Sequence, residues 1–199
     1  MKYVLCGLAA LSLAACASHS TRKVASENYL VDGMDPDSVV QSVKFTGQPG
    51  FEAEAGIVSN GEDEELSLVI LHNRPGDVRK EMVIDNRNLG LTVGGMAGTE
   101  SSLAVAPGGS LQIKQMNDSV GRYRWERTLT VSFRNGQYVI SGFTYSDRDT
   151  LDPNTGGSCD YNLLTGRGKR NNKNVKVKAN PPALKGAGEA EKFFSCKGW

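Results

Sequence analysis

The strongest structural signal in the sequence is YRWERTLTVSF at residues 123–133, joined by RNG at 134–136 to QYVISGFTY at 137–145. Asn135-Gly136 is the preferred pair for a two-residue type I′ turn, and apolar and polar residues alternate on both sides of it, so the segment predicts a β-hairpin. Because a two-residue turn fixes the register, the cross-strand pairs can be assigned from the sequence. We expect one face of the hairpin to lie in the core, with the pairs Phe133–Tyr138, Val131–Ile140 and Leu129–Gly142. The second face is either solvated or a binding surface. Its pairs are Ser132–Val139, Thr130–Ser141, Thr128–Phe143 and Glu126–Tyr145.

Shorter β-patterns flank this hairpin on its N-terminal side. A period close to two predicts strands at residues 38–45, 66–71 and 89–93. Residues 103–105 and 111–113 flank Pro107-Gly108-Gly109, which predicts a second hairpin. The only helix that the pattern allows is a short one near residues 187–194. We therefore expect an all-β protein, an antiparallel β-sandwich or an open barrel, formed by one domain at residues 38–199.

The N-terminus predicts export. Residues 1–15 have one lysine and then an apolar stretch too short to span a bilayer, which is typical of a signal peptide. Leu13-Ala14-Ala15-Cys16 resembles a bacterial lipobox, and this implies cleavage before Cys16 and acylation of that cysteine. Residues 16–37 are then the lipidated N-terminus and tether, and Ala17 favours the outer membrane, facing the periplasm. The alternative is an ordinary cleaved signal with a chance cysteine.

Two cysteines remain in the mature chain, Cys159 and Cys196. In an oxidising compartment two leftover cysteines are most simply one disulfide, here closing a loop of 36 intervening residues. A metal site needs more cysteine or histidine ligands than this chain has, so we expect no metal and no cofactor.

Charge is balanced overall but segregated along the chain. There are 23 Lys+Arg against 22 Asp+Glu, a net charge of +1, which disfavours nucleic acid as a partner. Between Asp160 and Glu189 the chain has seven bases and no acid: Arg167, Lys169, Arg170, Lys173, Lys176, Lys178 and Lys185. This stretch is either a patch for anionic lipid, lipopolysaccharide or an acidic protein, or a solvated strand edge that resists aggregation.

No catalytic constellation stands out. A serine hydrolase needs a histidine base, and the mature chain has only His19, in the tether, and His72. A glycosidase needs two carboxylates, which Asp147, Asp149 and Asp152 could supply, although aspartates before Pro153-Asn154 are also ordinary turn residues. Residues 59–65 resemble a shortened calcium-binding loop, with Ser59 where that pattern has Asp, and Asn60-Gly61 could instead be a hairpin turn.

Three segments together carry a resemblance: YRWERTLT at 123–130, ISGFTY at 140–145 and CDYNLLTG at 159–166. They resemble poorly characterised secreted β-domain proteins of Gram-negative bacteria, a likeness that implies a fold more than an activity. Ser141-Gly142-Phe143-Thr144-Tyr145 also fits the S-G-x-x-Y motif of periplasmic lysozyme inhibitors, in which a loop fills the lysozyme active-site cleft. That likeness implies that Ser141 and Tyr145 contact a lysozyme-like partner. The alternative is a structural role for Tyr145.

The function expected from the sequence is non-enzymatic. We expect a cell-envelope lipoprotein, held to the membrane by its lipid anchor, that binds a periplasmic or outer-membrane partner. Its most concrete version is an inhibitor or immunity protein against a wall-degrading enzyme. The candidate partner-binding residues are Ser141, Tyr145, Arg167, Lys169 and Arg170. The alternatives are a carboxylate-dependent hydrolase and a structural or assembly lipoprotein.

Overall fold

The chain folds as an all-β protein, as the alternating patterns predict. The structure, a computed structural model, describes residues 35–47, 52–59, 66–74, 77–85, 89–92, 98–185 and 195–196, with the backbone alone for residues 36 and 72–85. After a 3₁₀ turn at Pro36–Ser38, the strands of this part of the chain are β1 (Val39–Thr46), β2 (Glu52–Ser59), β3 (Leu66–Arg74), β4 (Asp77–Asp85), β5 (Thr99–Val105), β6 (Leu111–Asn117), β7 (Tyr123–Arg134), β8 (Gln137–Asp149), β9 (Gly156–Asn162), β10 (Arg167–Arg170) and β11 (Lys173–Lys176).

The strands form two antiparallel sheets. One sheet has the order β1-β2-β3-β4, and the other has the order β11-β10-β9-β8-β7-β6-β5. Most neighbours in space are neighbours in sequence, because short turns join consecutive antiparallel strands. The predicted strands at 38–45 and 66–71 and the hairpin around residues 107–109 are confirmed as β1, β3 and β5–β6.

The core lies between the two sheets. Ile57, Leu68 and Ile70 of the four-stranded sheet and Leu129 and Phe143 of the seven-stranded sheet belong to one buried cluster. At the side of this core the Gln41 side chain of β1 closes the edge of β5. Its amide nitrogen donates to the Leu103 carbonyl at 3.1 Å, and its amide oxygen accepts from the Leu103 N–H at 2.8 Å. The two sheets are therefore joined at this edge by polar contacts as well as by apolar packing.

The central hairpin contains a β-bulge that was not predicted from the sequence. The turn at Asn135-Gly136 and the pairs Phe133–Tyr138, Ser132–Val139 and Val131–Ile140 are confirmed. Beyond Val131 the register shifts by one residue, so the pairs become Thr130–Gly142, Leu129–Phe143, Thr128–Thr144, Arg127–Tyr145 and Glu126–Ser146. The predicted pairs of Leu129, Thr130, Thr128 and Glu126 are therefore wrong.

The extra residue of the bulge is Ser141, and its side chain accounts for the shift. The Ser141 hydroxyl donates to the Thr130 carbonyl at 3.1 Å and lies 2.8 Å from the Ser132 hydroxyl. A bulge turns every later side chain of its strand to the opposite face. Phe143 is thus completely buried in the core rather than on the second face.

The predicted strand at residues 89–93 is also wrong for its described residues, 89–92. Gly90 has a φ of 59°, a left-handed conformation that interrupts a strand. Leu89 and Leu91 are nonetheless buried. Two buried side chains hold the segment: Arg127 donates to the Leu89 carbonyl at 2.6 Å, and Gln115 donates to the Gly90 carbonyl at 2.8 Å. Burial lowers the pKa of Arg127 to about 10, so this guanidinium is still charged at neutral pH.

The predicted disulfide is confirmed. Cys159 and Cys196 are bonded, with their Cα atoms 5.7 Å apart, and the bond holds Ser195 and Cys196 against β9. Several other predictions fall outside the described residues: the signal peptide at 1–15, the lipidation site Cys16, the tether before Asp35, the helix near 187–194 and, except for Ser59, the calcium-like loop at 59–65.

Candidate functional site

Three loops meet at one end of the seven-stranded sheet, and we call this region the loop end. They are residues 118–122 between β6 and β7, residues 150–155 between β8 and β9, and residues 171–172 between β10 and β11. They lie together because the strands that they connect are neighbours in the sheet and run antiparallel.

An ion pair between a buried carboxylate and a half-exposed arginine joins two of these loops. Asp149 is 4% exposed and pairs with Arg122, whose Nε lies 2.6 Å from one carboxylate oxygen and whose Nη2 lies 2.6 Å from the other. The hydrogen bond from Arg122 holds the pKa of Asp149 below its ordinary value. Thr150 adds two further hydrogen bonds, since its N–H and its hydroxyl both donate to the Arg122 carbonyl, at 3.1 and 2.9 Å. The 118–122 and 150–155 loops are therefore fixed to each other.

Large apolar side chains project from this braced frame. Leu151 is 76% exposed, Tyr123 is 56% exposed and Val120 is 47% exposed. The Arg122 guanidinium lies 5.7 Å from the centre of the Tyr123 ring, in cation–π contact. Tyrosine and arginine are enriched among the energetically dominant residues of protein interfaces, and Leu151 and Val120 add exposed apolar area beside them.

Two clefts are lined by residues of the strands and loops at this end of the sheet, and both include Asp147. A cleft of about 330 Å³ is lined by Met116, Asn117, Asp118, Arg124, Trp125, Glu126, Ser146, Asp147 and Arg148. A cleft of about 470 Å³ is lined by Tyr145, Asp147, Thr155, Gly156, Gly157, Arg170, Asn171, Ser195 and Cys196. The disulfide thus supplies one wall of the larger cleft.

The two residues of the S-G-x-x-Y motif do not share a site. Ser141 is 5% exposed and holds the bulge in the middle of the sheet. Tyr145 lies four residues further along β8, stacks on Phe143 with ring centres 6.3 Å apart, and lines the larger cleft. Burial raises the pKa of the Tyr145 hydroxyl, so it stays protonated at neutral pH. Both residues pack structurally, and only Tyr145 reaches a cleft.

The three basic candidates lie on two different faces of β10. Arg167 and Lys169 are both exposed, and they point to the same face because they are two residues apart in a strand. Arg170 points to the other face, where its Nε donates to the Tyr161 hydroxyl at 2.7 Å and its guanidinium lies 5.8 Å from the centre of that ring. Arg170 therefore belongs to the larger cleft, and Arg167 and Lys169 do not.

The three aspartates of the hydrolase hypothesis each hold local backbone. Asp147 accepts from the Gly157 N–H at 2.9 Å, Asp149 accepts from the Leu151 N–H at 2.9 Å, and Asp152 accepts from the Asn154 N–H at 3.1 Å. A hydrogen bond from Thr155 lowers the pKa of Asp152, as the one from Arg122 lowers that of Asp149. A glycosidase acid needs a raised pKa, which is the opposite shift.

The exposed side chains of the loop end were missed by the sequence analysis. Tyr123 was assigned only to the start of a strand, and Val120 and Leu151 to no element. A signal was present, since Leu151 stands among polar turn residues in Ser146-Asp-Arg-Asp-Thr-Leu-Asp-Pro153. An apolar residue in such a segment has no periodic partner that would carry it into the core.

In the described part of the chain no helix has the length and apolar character needed to cross a bilayer. The same residues contain no group of three or more histidine, cysteine or acidic side chains that could hold a metal ion. No protein-family model, no curated protein and no solved structure matches the chain.

Proposed function

We propose that this chain is a non-catalytic, lipid-anchored protein of the bacterial cell envelope that binds a protein partner through its loop end. The observation that carries the proposal is the exposure of Leu151 and Val120 on two loops, and of Tyr123 at the start of β7, where the Arg122–Asp149 pair joins these loops. The membrane anchor in this proposal comes from the lipobox-like residues 13–16.

Rigid presentation is what makes these side chains useful for binding. An exposed leucine and tyrosine on a mobile loop lose conformational entropy when a partner orders them. Here the bonds among Arg122, Asp149 and Thr150 have already fixed the backbone on either side of Tyr123 and Leu151. Burial of these side chains by a partner therefore gains apolar contact at a small ordering cost.

Binding is favoured over hydrolysis by the state of the carboxylates. The lowered pKa values of Asp149 and Asp152 keep both groups ionised at neutral pH, so neither is suited to protonate a leaving group. Their hydrogen bonds serve the loops that carry Tyr123 and Leu151. The carboxylate cluster thus supports a framework role.

For a protein that inhibits a wall-degrading enzyme, we propose contact residues that differ from those of the S-G-x-x-Y motif. Ser141 is buried in the bulge, so its side chain cannot reach a partner while the sheet is intact. If the partner is a wall-degrading enzyme, the residues that enter its cleft are Tyr123 and Leu151, which stand at the end of the longest hairpin.

The proposal is tested by photo-crosslinking in the cells that produce the chain. A photoreactive amino acid is placed at Leu151 or Tyr123, with Gln137, an exposed residue at the opposite end of β8, as the matched control. We expect one discrete crosslinked adduct from the two loop-end positions and none from the control. Equal crosslinking at Gln137, or no adduct at either loop-end position, would overturn the proposal.

The inhibitor version has its own assay. The purified chain is added to c-, g- and i-type lysozymes, and the variants Tyr123→Ser with Leu151→Ser and Ser141→Ala are compared at a temperature where all are folded. Inhibition that is lost in the loop-end variant and kept in Ser141→Ala supports this version. No inhibition by the unmodified chain rejects it and leaves the crosslinking result to identify the partner.

A further inference from the structure

Two basic side chains face each other across β10 and β11 without an acid between them. Arg167 lies directly opposite Lys176 in the register of this strand pair, and Lys169 follows on the same face. All three side chains are exposed. Within the described residues none of them forms an ion pair or a side-chain hydrogen bond. We call these three residues the basic ridge.

Protection of a strand edge does not explain this arrangement. Lysine on an edge strand discourages pairing with another chain, and this accounts for Lys176 on β11, the last strand of the sheet in the described part of the chain. Arg167 and Lys169, however, lie on β10, which is paired on both sides, with β9 and with β11. Like charges placed directly opposite each other destabilise a strand pair, so an external anion that bridges Arg167 and Lys176 would relieve this repulsion.

The surroundings of the ridge are polar. Asn162 lies opposite Arg167 in β9, Asp160 lies opposite Lys169, and Asn174 lies opposite Lys169 in β11. The acid opposite Lys169, Asp160, accepts a hydrogen bond from the Thr144 hydroxyl at 3.3 Å. Stable protein interfaces have an apolar centre, whereas the described residues that pair directly with the ridge side chains are polar or charged. An anionic lipid surface attracts basic side chains without requiring apolar contacts.

We propose that the basic ridge docks the domain onto the anionic phospholipid headgroups of the membrane that holds the acylated Cys16. This inference rests on the lipid anchor of the proposed function. It adds a second, electrostatic contact that fixes which face of the domain meets the bilayer. The partner-binding loop end is then presented at a defined angle to the membrane.

The length of the chain before β1 permits both contacts. The 24 residues from Cys16 to Val39 can span at most about 80 Å. β1 packs beside β5, at the opposite edge of the seven-stranded sheet from the ridge. Six strand spacings of about 4.8 Å place the two edges roughly 29 Å apart. The anchored chain can therefore lay the whole width of the sheet on the bilayer.

The test is lysine labelling of the full acylated chain in vesicles. The protein is reconstituted into vesicles of phosphatidylcholine alone or of phosphatidylcholine mixed with phosphatidylglycerol, acetylated briefly, and digested for mass spectrometry. Each base near an anionic surface contributes about a fivefold preference for the docked state, so three give about a hundredfold preference. We expect acetylation of Lys169 and Lys176 to slow more than tenfold in the anionic vesicles and to recover in about 1 M salt, where screening is nearly complete.

Two controls show whether slower acetylation is specific to the basic ridge. Lys44, an exposed lysine of β1 in the other sheet, should be labelled equally in both kinds of vesicle. Arg167→Gln should weaken the protection of Lys169 and Lys176 about fivefold, and Arg134→Gln, which removes one exposed charge from the central hairpin turn, should leave it unchanged.

Each labelling result either supports or overturns docking of the basic ridge. Equal labelling of the ridge lysines in both vesicles, by a chain that floats with them, overturns ridge docking and leaves the anchor standing. A chain that does not float is not anchored; it is then mixed with preformed vesicles at low salt, where equal labelling again overturns docking. Protection in isolated cell envelopes but in neither kind of vesicle assigns the ridge to an acidic macromolecule instead.

Discussion

Replacing Phe143 by alanine is the sharpest test of the register of the central hairpin. With the bulge at Ser141, Phe143 is completely buried, paired with Leu129 and in contact with the rings of Tyr145 and Tyr161. Without the bulge, the same side chain would lie on the opposite face of the sheet. The two registers therefore predict different energetic consequences for one substitution.

The expected cost follows from the burial. Truncation of a fully buried phenylalanine to alanine removes its transfer free energy and leaves a cavity, which together amount to about 3–5 kcal/mol. For a domain of this size that corresponds to a loss of roughly 6–20 °C in the melting temperature. The matched control is Thr144→Ala, since Thr144 is the exposed next residue and its change, which removes one exposed hydrogen bond to Asp160, should cost only about 1 kcal/mol.

The assay is guanidinium unfolding followed by far-ultraviolet circular dichroism, with the melting temperature as a second measurement. We expect the midpoint of Phe143→Ala to fall well below that of the unmodified chain and that of Thr144→Ala to stay close to it. If Thr144→Ala proves the more damaging of the two changes, the bulge is absent and the reasoning about Ser141 fails with it.

Three further outcomes are expected. Replacing both cysteines of the disulfide by alanine should lower the free energy of unfolding by about 4 kcal/mol, because the bond closes a loop with a sequence separation of 37; unchanged denaturant midpoints would contradict this. Arg122→Gln should lower the melting temperature at neutral pH, and the deficit should shrink as the pH falls below about 4. The sign follows because the pKa of Asp149 is lowered in the folded state, so its stabilisation is present above the unfolded pKa and is lost as the pH falls through the folded one; a deficit that does not change with pH would show that the pair is not the cause. Gly166→Ala should cost more than about 1 kcal/mol, since Gly166 has a φ of 68° and its Cβ would lie 2.6 Å from a carbonyl oxygen, while Gly108→Ala, at a position with open space, should be neutral in the same melts.

The register of the central hairpin could be predicted from the sequence only in part. The turn at Asn135-Gly136 determined the first three pairs correctly, because the register near a two-residue turn depends on local chemistry alone. The predicted pairs are wrong from Ser141 onward, where the bulge reverses the alternation of buried and exposed side chains. Ile140 and Phe143 are three residues apart and both belong in the core, a spacing that no regular strand allows. Read together with a glycine inside a strand, that spacing indicates a bulge.

The 89–92 segment failed for a different reason. Leu89-Gly90-Leu91 has the alternation of a strand, and both leucines are indeed buried. Instead of pairing with a neighbouring strand, the segment offers its carbonyl groups to two buried polar side chains, Arg127 and Gln115. A distant arginine that serves as a hydrogen-bond donor to a loop leaves no trace in a local hydrophobic pattern, because its partner is 38 residues away in the chain.

The segment CDYNLLTG, one of the three that carry the family resemblance, contains residues that are typical of a turn. The Asn162 side chain accepts from the N–H groups of Leu164 and Thr165 at 3.1 and 3.0 Å, Leu163 is completely buried, and Gly166 adopts a positive φ. Asn162 and Gly166 therefore build the β9–β10 turn. The likeness in this segment therefore rests on turn-forming residues, and the family resemblance stays a prediction.

The polar and apolar surfaces of the domain serve different contacts in the proposed arrangement. The loop end has exposed apolar side chains whose burial favours a partner with a complementary surface, and salt affects such contacts little. The basic ridge has charge without apolar area, so its contacts weaken steeply with salt. If both proposals hold, raising the salt concentration should release the ridge from the membrane while the loop end keeps its crosslink. Salt thus separates two contacts that a membrane-anchored protein would otherwise present together.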